Sequence, residues 1–365
     1  MQPGHHVVVS ALAEDPAAGI AALTVAPMAA PDPATLGPRD VVVAVKSASV
    51  NWVDLLMTSG QYQHQPPLPY TPGLEYAGEV AWLGPEVTGL AVGDRVLVDG
   101  LLAGPRSLGA YQRWGGYASY AVAPAEAVHR VPGDLTLDQA CNLLGNYETA
   151  YHVLIARGRL QPGETVLILG ASGSTGLAAV HVARLVGATV IAIGRSDAKL
   201  EIVAAQGAHH VVNCRGADGG LRPFRDEVKA LTGGRGVDVV YDGVGGELSD
   251  HAMRCTRFGA RFLIAGWAGT PLVAAGKGGR GAPNVNRLPT NLIMMKSLDV
   301  LGCPAAISVA QDPSIRPPRF AQIWQWAEAG ALRPYVSHTF ELTEVQAALR
   351  AKWQGEIIGG CVLHP

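Results

Sequence analysis

The stretch GASGSTG, residues 170–176, sets glycines at 170, 173 and 176 between the apolar run ETVLILG and the helically spaced TGLAAVHVARLVG. Small residues where a strand runs into a helix are what a dinucleotide pyrophosphate requires. A bare Gly173 lets the backbone approach the phosphates, and Gly176 lets helix and strand pack closely. The helix start adds free N–H groups and the positive end of its dipole. Ala171 stands where the full G-x-G-x-x-G fingerprint has its first glycine. We expect Gly170, Ser172, Gly173, Ser174, Thr175 and Gly176 to line a cofactor, the alternative being a tight strand–helix turn and nothing more.

The second strand of such a unit decides which nicotinamide nucleotide fits. NAD asks for an acid at its end, to accept the ribose 2′-hydroxyl. That place holds Gly194-Arg195-Ser196, with Lys199 one helical turn on and Asp197 nearby but late. A guanidinium fork and a hydroxyl suit a 2′-phosphate. NADPH, held by Arg195, Ser196 and Lys199, is the reading; a solvated Arg at a helix start is the other.

These groups need elements to position them. From 164 onward strands alternate with helices: ETVLILG, TVIAIG, HHVVN, VDVVYDG, RFLIAG and SLDVLGC are the strand-like runs. The alternation implies a doubly wound α/β unit on a parallel sheet. Val244 and Gly266 follow strands of that series, at the carboxyl edge where a cofactor would run, and Asp242 reads as structural. Residues 7–130 are different, with short β-prone runs such as VVVAVKSASV, YAGEVAWLG and DRVLV between Gly and Pro. They read as a compact all-β unit. Asp134 is expected to cap a helix through LTLDQACNLLG, with a second helix, YETAYHVLIARG, after it.

At 365 residues the chain exceeds one ordinary core. The net charge of −2 gives no reason to expect nucleic acid or an anionic membrane as partner. No apolar run reaches the roughly 18 residues of a spanning helix. The first 38 residues hold no Lys or Arg, unlike a secretory signal. Five scattered cysteines suggest neither disulfides nor a zinc cluster, so a reducing cytoplasm is expected.

With these pieces together, the chain resembles the medium-chain dehydrogenase/reductase superfamily, and within it the zinc-free quinone oxidoreductase and enoyl reductase branch. The resemblance rests on ASVNWVDLLMTSGQY (48–62), LPYTPGLEYAGEVAWLGPEVTGLAVGDRV (68–96), GGYASYAVAPAEAVHRVP (115–132), NYETAYHVL (146–154), GETVLILGASGSTGLAAVHVARLVGATVIA (163–192) and VDVVYDGVGG (237–246). It implies a GroES-like, β-rich catalytic domain (1–132 and 310–365), a Rossmann NADPH-binding domain (133–309), an active site between them, and a homodimer.

In the metal-dependent branch a Cys and a His hold catalytic zinc. The matching positions here are the stretch Val50-Asn51-Trp52-Val53-Asp54 and Leu74, and residues 98–115, where a structural zinc lobe would lie, contain no Cys. Zinc needs three or four such ligands, so no metal is expected. Without a Lewis acid, the acceptors within reach are those that spread developing charge: a quinone, an enone or an enoyl thioester, whose oxygen hydrogen-bond donors can stabilise. A zinc-free alcohol dehydrogenase and a catalytically idle NADPH-binding protein stay open as alternatives.

The resemblance gives residues to these roles. Asn51 would sit beside nicotinamide and substrate, or be an Asx-turn residue. Tyr62 would polarise the acceptor or deliver a proton, or be a rim residue. Thr149 would contact the nicotinamide carboxamide, with Asn146 on the same helix also at the cofactor, while Tyr147 could be helix packing. Glu75 is read as a buried structural carboxylate rather than a base. Arg106, Arg113, Lys277, Arg280 and Arg287 lie on longer-than-usual loops that could hold the phosphates of an acyl-CoA, or simply be solvated.

Overall fold

The structure is a computed structural model that describes the chain except residues 63, 108 and 270–285, where only the backbone of 274–275 and 279–280 is described. It divides into two compact units, residues 1–145 with 274–281 and 324–365, and residues 146–273 with 282–323. The division falls later than the boundaries expected at 132 and 309. Helix Leu137–Ala140 packs on strands Asp40–Ser49, Tyr76–Leu83 and Arg95–Val98, which ties residues 133–145 to the first unit. That helix is capped by Thr136, whose Oγ1 accepts the Gln139 N–H at 3.2 Å. Asp134, the expected cap, instead pairs with Arg333 at 2.6 Å.

The first unit is built on a mostly antiparallel sheet. Among the described residues its strands run Val336–Glu341, Gly360–His364, Asp40–Ser49, Tyr76–Leu83, Arg95–Val98 and Val128–Arg130 across the sheet, with Tyr120–Pro124 also on Asp40–Ser49. Alternate residues Val41, Val43 and Val45 bury one face against Val96, Leu349 and Leu363, as period-2 strands over a core must. The register pairs Ala48 with Tyr76, and the Ser49 N–H donates to the Glu75 carbonyl at 2.9 Å. Residues 49–51 and 73–75 are thereby brought together at one end of two neighbouring strands.

In the second unit the parallel strands lie in the order His210–Asn213, Thr189–Gly194, Thr165–Leu169, Val237–Asp242, Thr256–Ile264 and Asp299–Gly302. Numbered along the chain this is 3-2-1-4-5-6, the doubly wound Rossmann order. The central strands are apolar along their length, with Val166, Leu167, Ile168 and Leu169 all buried, because helices cover both faces. The order reverses between Thr165–Leu169 and Val237–Asp242. The loops after these two strands, 170–173 and 243–246, therefore open side by side.

The five cysteines are free and buried. No helix among the described residues is long and apolar enough to cross a membrane.

Candidate active site

The dinucleotide loop fills the switch point. Gly173 caps helix Ser174–Val186 with no side-chain hydrogen bond across its start. The three glycines have separate reasons. A methyl on Gly176 would fall 2.2 Å from the Gly170 carbonyl oxygen, and one on Gly170, at φ +63°, would fall 2.7 Å from Val244 Cγ2. At Gly173 it would meet only the Gly170 oxygen, at 3.3 Å. Packing demands Gly170 and Gly176, whereas Gly173, with that single close neighbour, is exposed over a helix start. The cradle fits a pyrophosphate. Ser172, Ser174 and Thr175 are partly exposed on it, and Val244 brackets it from the next loop. Gly266 donates its N–H to the Asp242 carbonyl at 3.2 Å. The Asp242 carboxylate accepts the N–H groups of Val244 (3.0 Å) and Gly245 (2.8 Å) and the Ser249 hydroxyl (2.5 Å), so it builds the loop from inside.

At the end of strand Thr189–Gly194, Arg195 is exposed and makes no ion pair with a described residue. Ser196 caps helix Asp197–Ala205, on which Lys199 lies. Asp197, the acid that could have served a ribose hydroxyl, accepts Asn213 Nδ2 at 2.8 Å.

Asn146 and Thr149 lie on helix Leu144–Tyr151, Asn146 buried and Thr149 partly exposed. The Tyr147 hydroxyl bonds His181 Nδ1 at 2.7 Å and the rings stack, which makes Tyr147 a packing residue. Between them Glu148 is buried and takes Arg316 at 2.8 Å and Arg319 at 2.6 Å. This ion cluster escapes sequence reading because its partners stand 168 and 171 residues away.

In the first unit, Asn51 caps helix Trp52–Thr58, and its N–H donates to Asp54 Oδ2 at 3.0 Å. Its side-chain Nδ2 donates to Glu75 Oε2 at 3.1 Å, while Oδ1 faces the Ser49 hydroxyl at 3.4 Å. Glu75 Oε1 accepts the Gly145 N–H at 2.5 Å. Burial pushes the Glu75 carboxyl above its ordinary range, opposed by the charge of Arg106 and by these hydrogen bonds. Glu75 is thus the buried, hydrogen-bonded carboxylate expected, with Asn51 as an unforeseen partner.

Asp54 anchors the other side. It accepts the Gly73 N–H at 3.1 Å and the Tyr117 hydroxyl at 3.1 Å, and burial raises its carboxyl to about 6. Gly73 has φ +102°, and a methyl there would lie 2.6 Å from the Tyr117 ring. Leu74 is buried. The donor set does not fit zinc: position 74 is aliphatic, and the oxygens of Asp54 and Glu75 already accept hydrogen bonds. Among the described residues no three His, Cys, Asp or Glu gather as a metal would need.

Tyr62 is partly exposed, edge-on to His64 with ring centres 5.8 Å apart, and its hydroxyl has no hydrogen-bond partner among the described residues. No hydrogen bond joins it to Asn51, whose side chain engages Glu75 and Ser49. Arg113 lies over Trp114 at 5.0 Å, Arg287 is exposed, and Lys277 and the Arg280 side chain lie outside the described residues.

The family model for the alcohol dehydrogenase GroES-like domain matches residues 37–133, and that for zinc-binding dehydrogenase matches 174–311. Quinone oxidoreductase-like protein 2 of Mus musculus is 32% identical over 332 residues, which cover 91% of this chain and 86% of that protein. The quinone oxidoreductase of Homo sapiens is 32% identical over 235 residues, 64% of this chain and 67% of that one. A solved structure of a probable oxidoreductase from Mycobacterium abscessus superposes with a TM-score of 0.78 at 29% identity, covering 100% of this chain and 99% of that one.

Proposed function

Because the chain belongs to the quinone oxidoreductase branch of the medium-chain dehydrogenase/reductase superfamily and is an oxidoreductase by that membership, we propose that it is a zinc-independent, NADPH-dependent reductase of a quinone or a conjugated C=C. The observation that carries the reading is the Leu74–Glu75 step. Where a metal-dependent relative would carry its His, this chain buries an aliphatic side chain. The next residue spends its carboxylate on a backbone N–H and the Asn51 amide.

The cofactor, when bound, supplies a hydride. Gly173 and the first N–H groups of helix Ser174–Val186 hold its pyrophosphate, with Gly170, Ser172, Ser174, Thr175, Gly176, Val244 and Gly266 along its path. Arg195, Ser196 and Lys199 take the 2′-phosphate, a choice supported by the engagement of Asp197 with Asn213. Asn146 and Thr149 orient the carboxamide.

On the acceptor side, Asn51 is held by Glu75 with one Nδ2 hydrogen. The second hydrogen is a donor for an acceptor oxygen as negative charge grows there. Tyr62 delivers the proton that completes reduction. Such donors suffice for an acceptor that delocalises charge and fall short for a simple carbonyl, where a metal would stabilise a localised alkoxide. A homodimer in a reducing cytoplasm belongs to the same proposal.

The test is an NADPH-oxidation screen with quinones, enones and enoyl-CoAs, run beside NADH. Turnover of at least one conjugated class with NADPH supports the reading. Alcohol-dependent NADP⁺ reduction, or tight NADPH binding with no acceptor turned over, overturns it.

A further inference from the structure

The loop that follows strand Arg95–Val98 folds back over residues 73–75. A methyl on Gly100 would lie 2.3 Å from the Leu74 carbonyl oxygen and 3.5 Å from Arg106 Nη2, so the guanidinium and the Leu74–Glu75 peptide flank one point. A methyl on Gly104 would lie 3.9 Å from both the Gly73 and Leu74 carbonyl oxygens, on the same surface. Arg106 is only partly exposed. Its one hydrogen bond to a described residue runs from Nε to the Gly100 carbonyl at 3.4 Å. Nη1 and Nη2 have no hydrogen-bond partner among the described residues, and no carboxylate of those residues forms an ion pair with the side chain. Burial raises the Glu75 carboxyl and lowers the His64 imidazole, and the charge of Arg106 opposes the first shift and adds to the second. A half-sheltered guanidinium with its fork of donors open is configured to receive an anion or an oxygen that becomes one.

We propose that Arg106 forms an oxyanion-binding subsite that takes the oxygen of the acceptor. The proposal rests on the reductase reading and deepens it by naming the substrate class: molecules that carry a carbonyl or quinone oxygen in conjugation with the carbon to be reduced. When hydride adds to the distal carbon of the C=C, the π pair moves to the bond next to the carbonyl. The carbonyl pair moves onto oxygen, giving an enolate. Arg106 hydrogen-bonds that oxygen, and a proton then adds to the enolate, at carbon or at oxygen, to complete the two-electron reduction. A fixed cation in a sheltered site stabilises the delocalised oxyanion more than the neutral carbonyl, as catalysis requires. Among the five basic residues of the two long loops, Arg106 alone is thereby given an oxygen to bind rather than a distant phosphate.

The test uses the full chain and 4-nitrophenol, whose phenolate is a coloured, stable mimic of the delocalised oxyanion. The wild-type protein is expected to bind the phenolate in preference to the phenol, seen as a rise in phenolate absorbance at fixed pH. Arg106→Met should weaken phenolate binding roughly tenfold or more, Arg106→Lys should keep part of it, and Arg113→Met should leave it unchanged. Thermal midpoints establish that the variants are folded, and Arg106→Lys carries the comparison if Arg106→Met is not. Phenolate binding that is equal in wild type, Arg106→Met and Arg106→Lys overturns the proposal, as does a wild type that binds only the neutral phenol or neither form. The reductase reading fails separately, by absence of NADPH-dependent turnover, and phenolate binding does not depend on it.

Discussion

Asn51 Nδ2 donates to Glu75 Oε2 at 3.1 Å, and the other Glu75 oxygen takes the Gly145 N–H at 2.5 Å. Each oxygen of a buried carboxylate thereby accepts a hydrogen bond, one holding an amide and the other a loop. Glu75→Leu leaves both donors unpaired and should lower unfolding free energy by roughly 2–5 kcal/mol. Glu75→Gln keeps an acceptor oxygen and should cost less than half as much while retaining turnover. Urea midpoints and rates on both variants decide it. A Gln variant that is as stable as wild type but inactive would make Glu75 a base instead.

Asp54 gives a pH signature. Burial raises its carboxyl from 3.8 to about 6, so the folded chain holds the proton more tightly than the unfolded one. The associated stability is full below 3.8 and is lost as pH rises through about 6. Relative to Asp54→Asn, the wild type should therefore lose roughly 2–3 kcal/mol between about pH 4 and pH 8. Chemical denaturation at both ends of that window measures it. Parallel profiles for the two proteins would contradict the assignment.

The glycines of the dinucleotide loop should separate by substitution. Gly173→Val meets one backbone atom, the Gly170 carbonyl oxygen at 3.3 Å from Cβ, so the fold should keep most of its thermal midpoint while NADPH binding is lost. Gly176→Ala drives a methyl to 2.2 Å from the Gly170 oxygen and should destabilise the second unit by roughly 1–3 kcal/mol. Calorimetry with and without NADPH reads both. A Gly173→Val protein that still binds NADPH would remove this loop as the phosphate site.

Arg195→Ala should raise the KM for NADPH roughly tenfold or more and leave that for NADH within about twofold. Equal losses for both nucleotides would show that Arg195 does not read the 2′-phosphate.

The second unit was largely legible in advance, because its parallel strands are short apolar runs punctuated by glycine and its helices keep their period. Helix Asp197–Ala205 begins two residues before Lys199, at a start that Ser196 marks without a side-chain cap bond. The family motif singles out Asn51 and Tyr62 as candidates, yet it does not give their surroundings. Glu75 meets Asn51 through the pairing of Ala48 with Tyr76, a register that no local pattern encodes. In the sequence Arg106 is one of five loop cations, phosphate-binding or solvated alike, because what distinguishes it is a loop folded over Gly73 and Leu74. The Asp134 cap failed for a similar reason: a capping residue is a local preference, and Arg333, 199 residues on, competes for the same carboxylate.

The central claim is that hydride passes from NADPH to a carbon conjugated with an oxygen, without a metal. The most direct measurement is NMR of the product formed from NADPH deuterated at nicotinamide C4, with an enone acceptor, in protein treated with a strong chelator. The account predicts deuterium on the carbon β to the carbonyl at an undiminished rate. Deuterium on the carbonyl carbon, or activity that vanishes with chelation and returns with zinc, would contradict it.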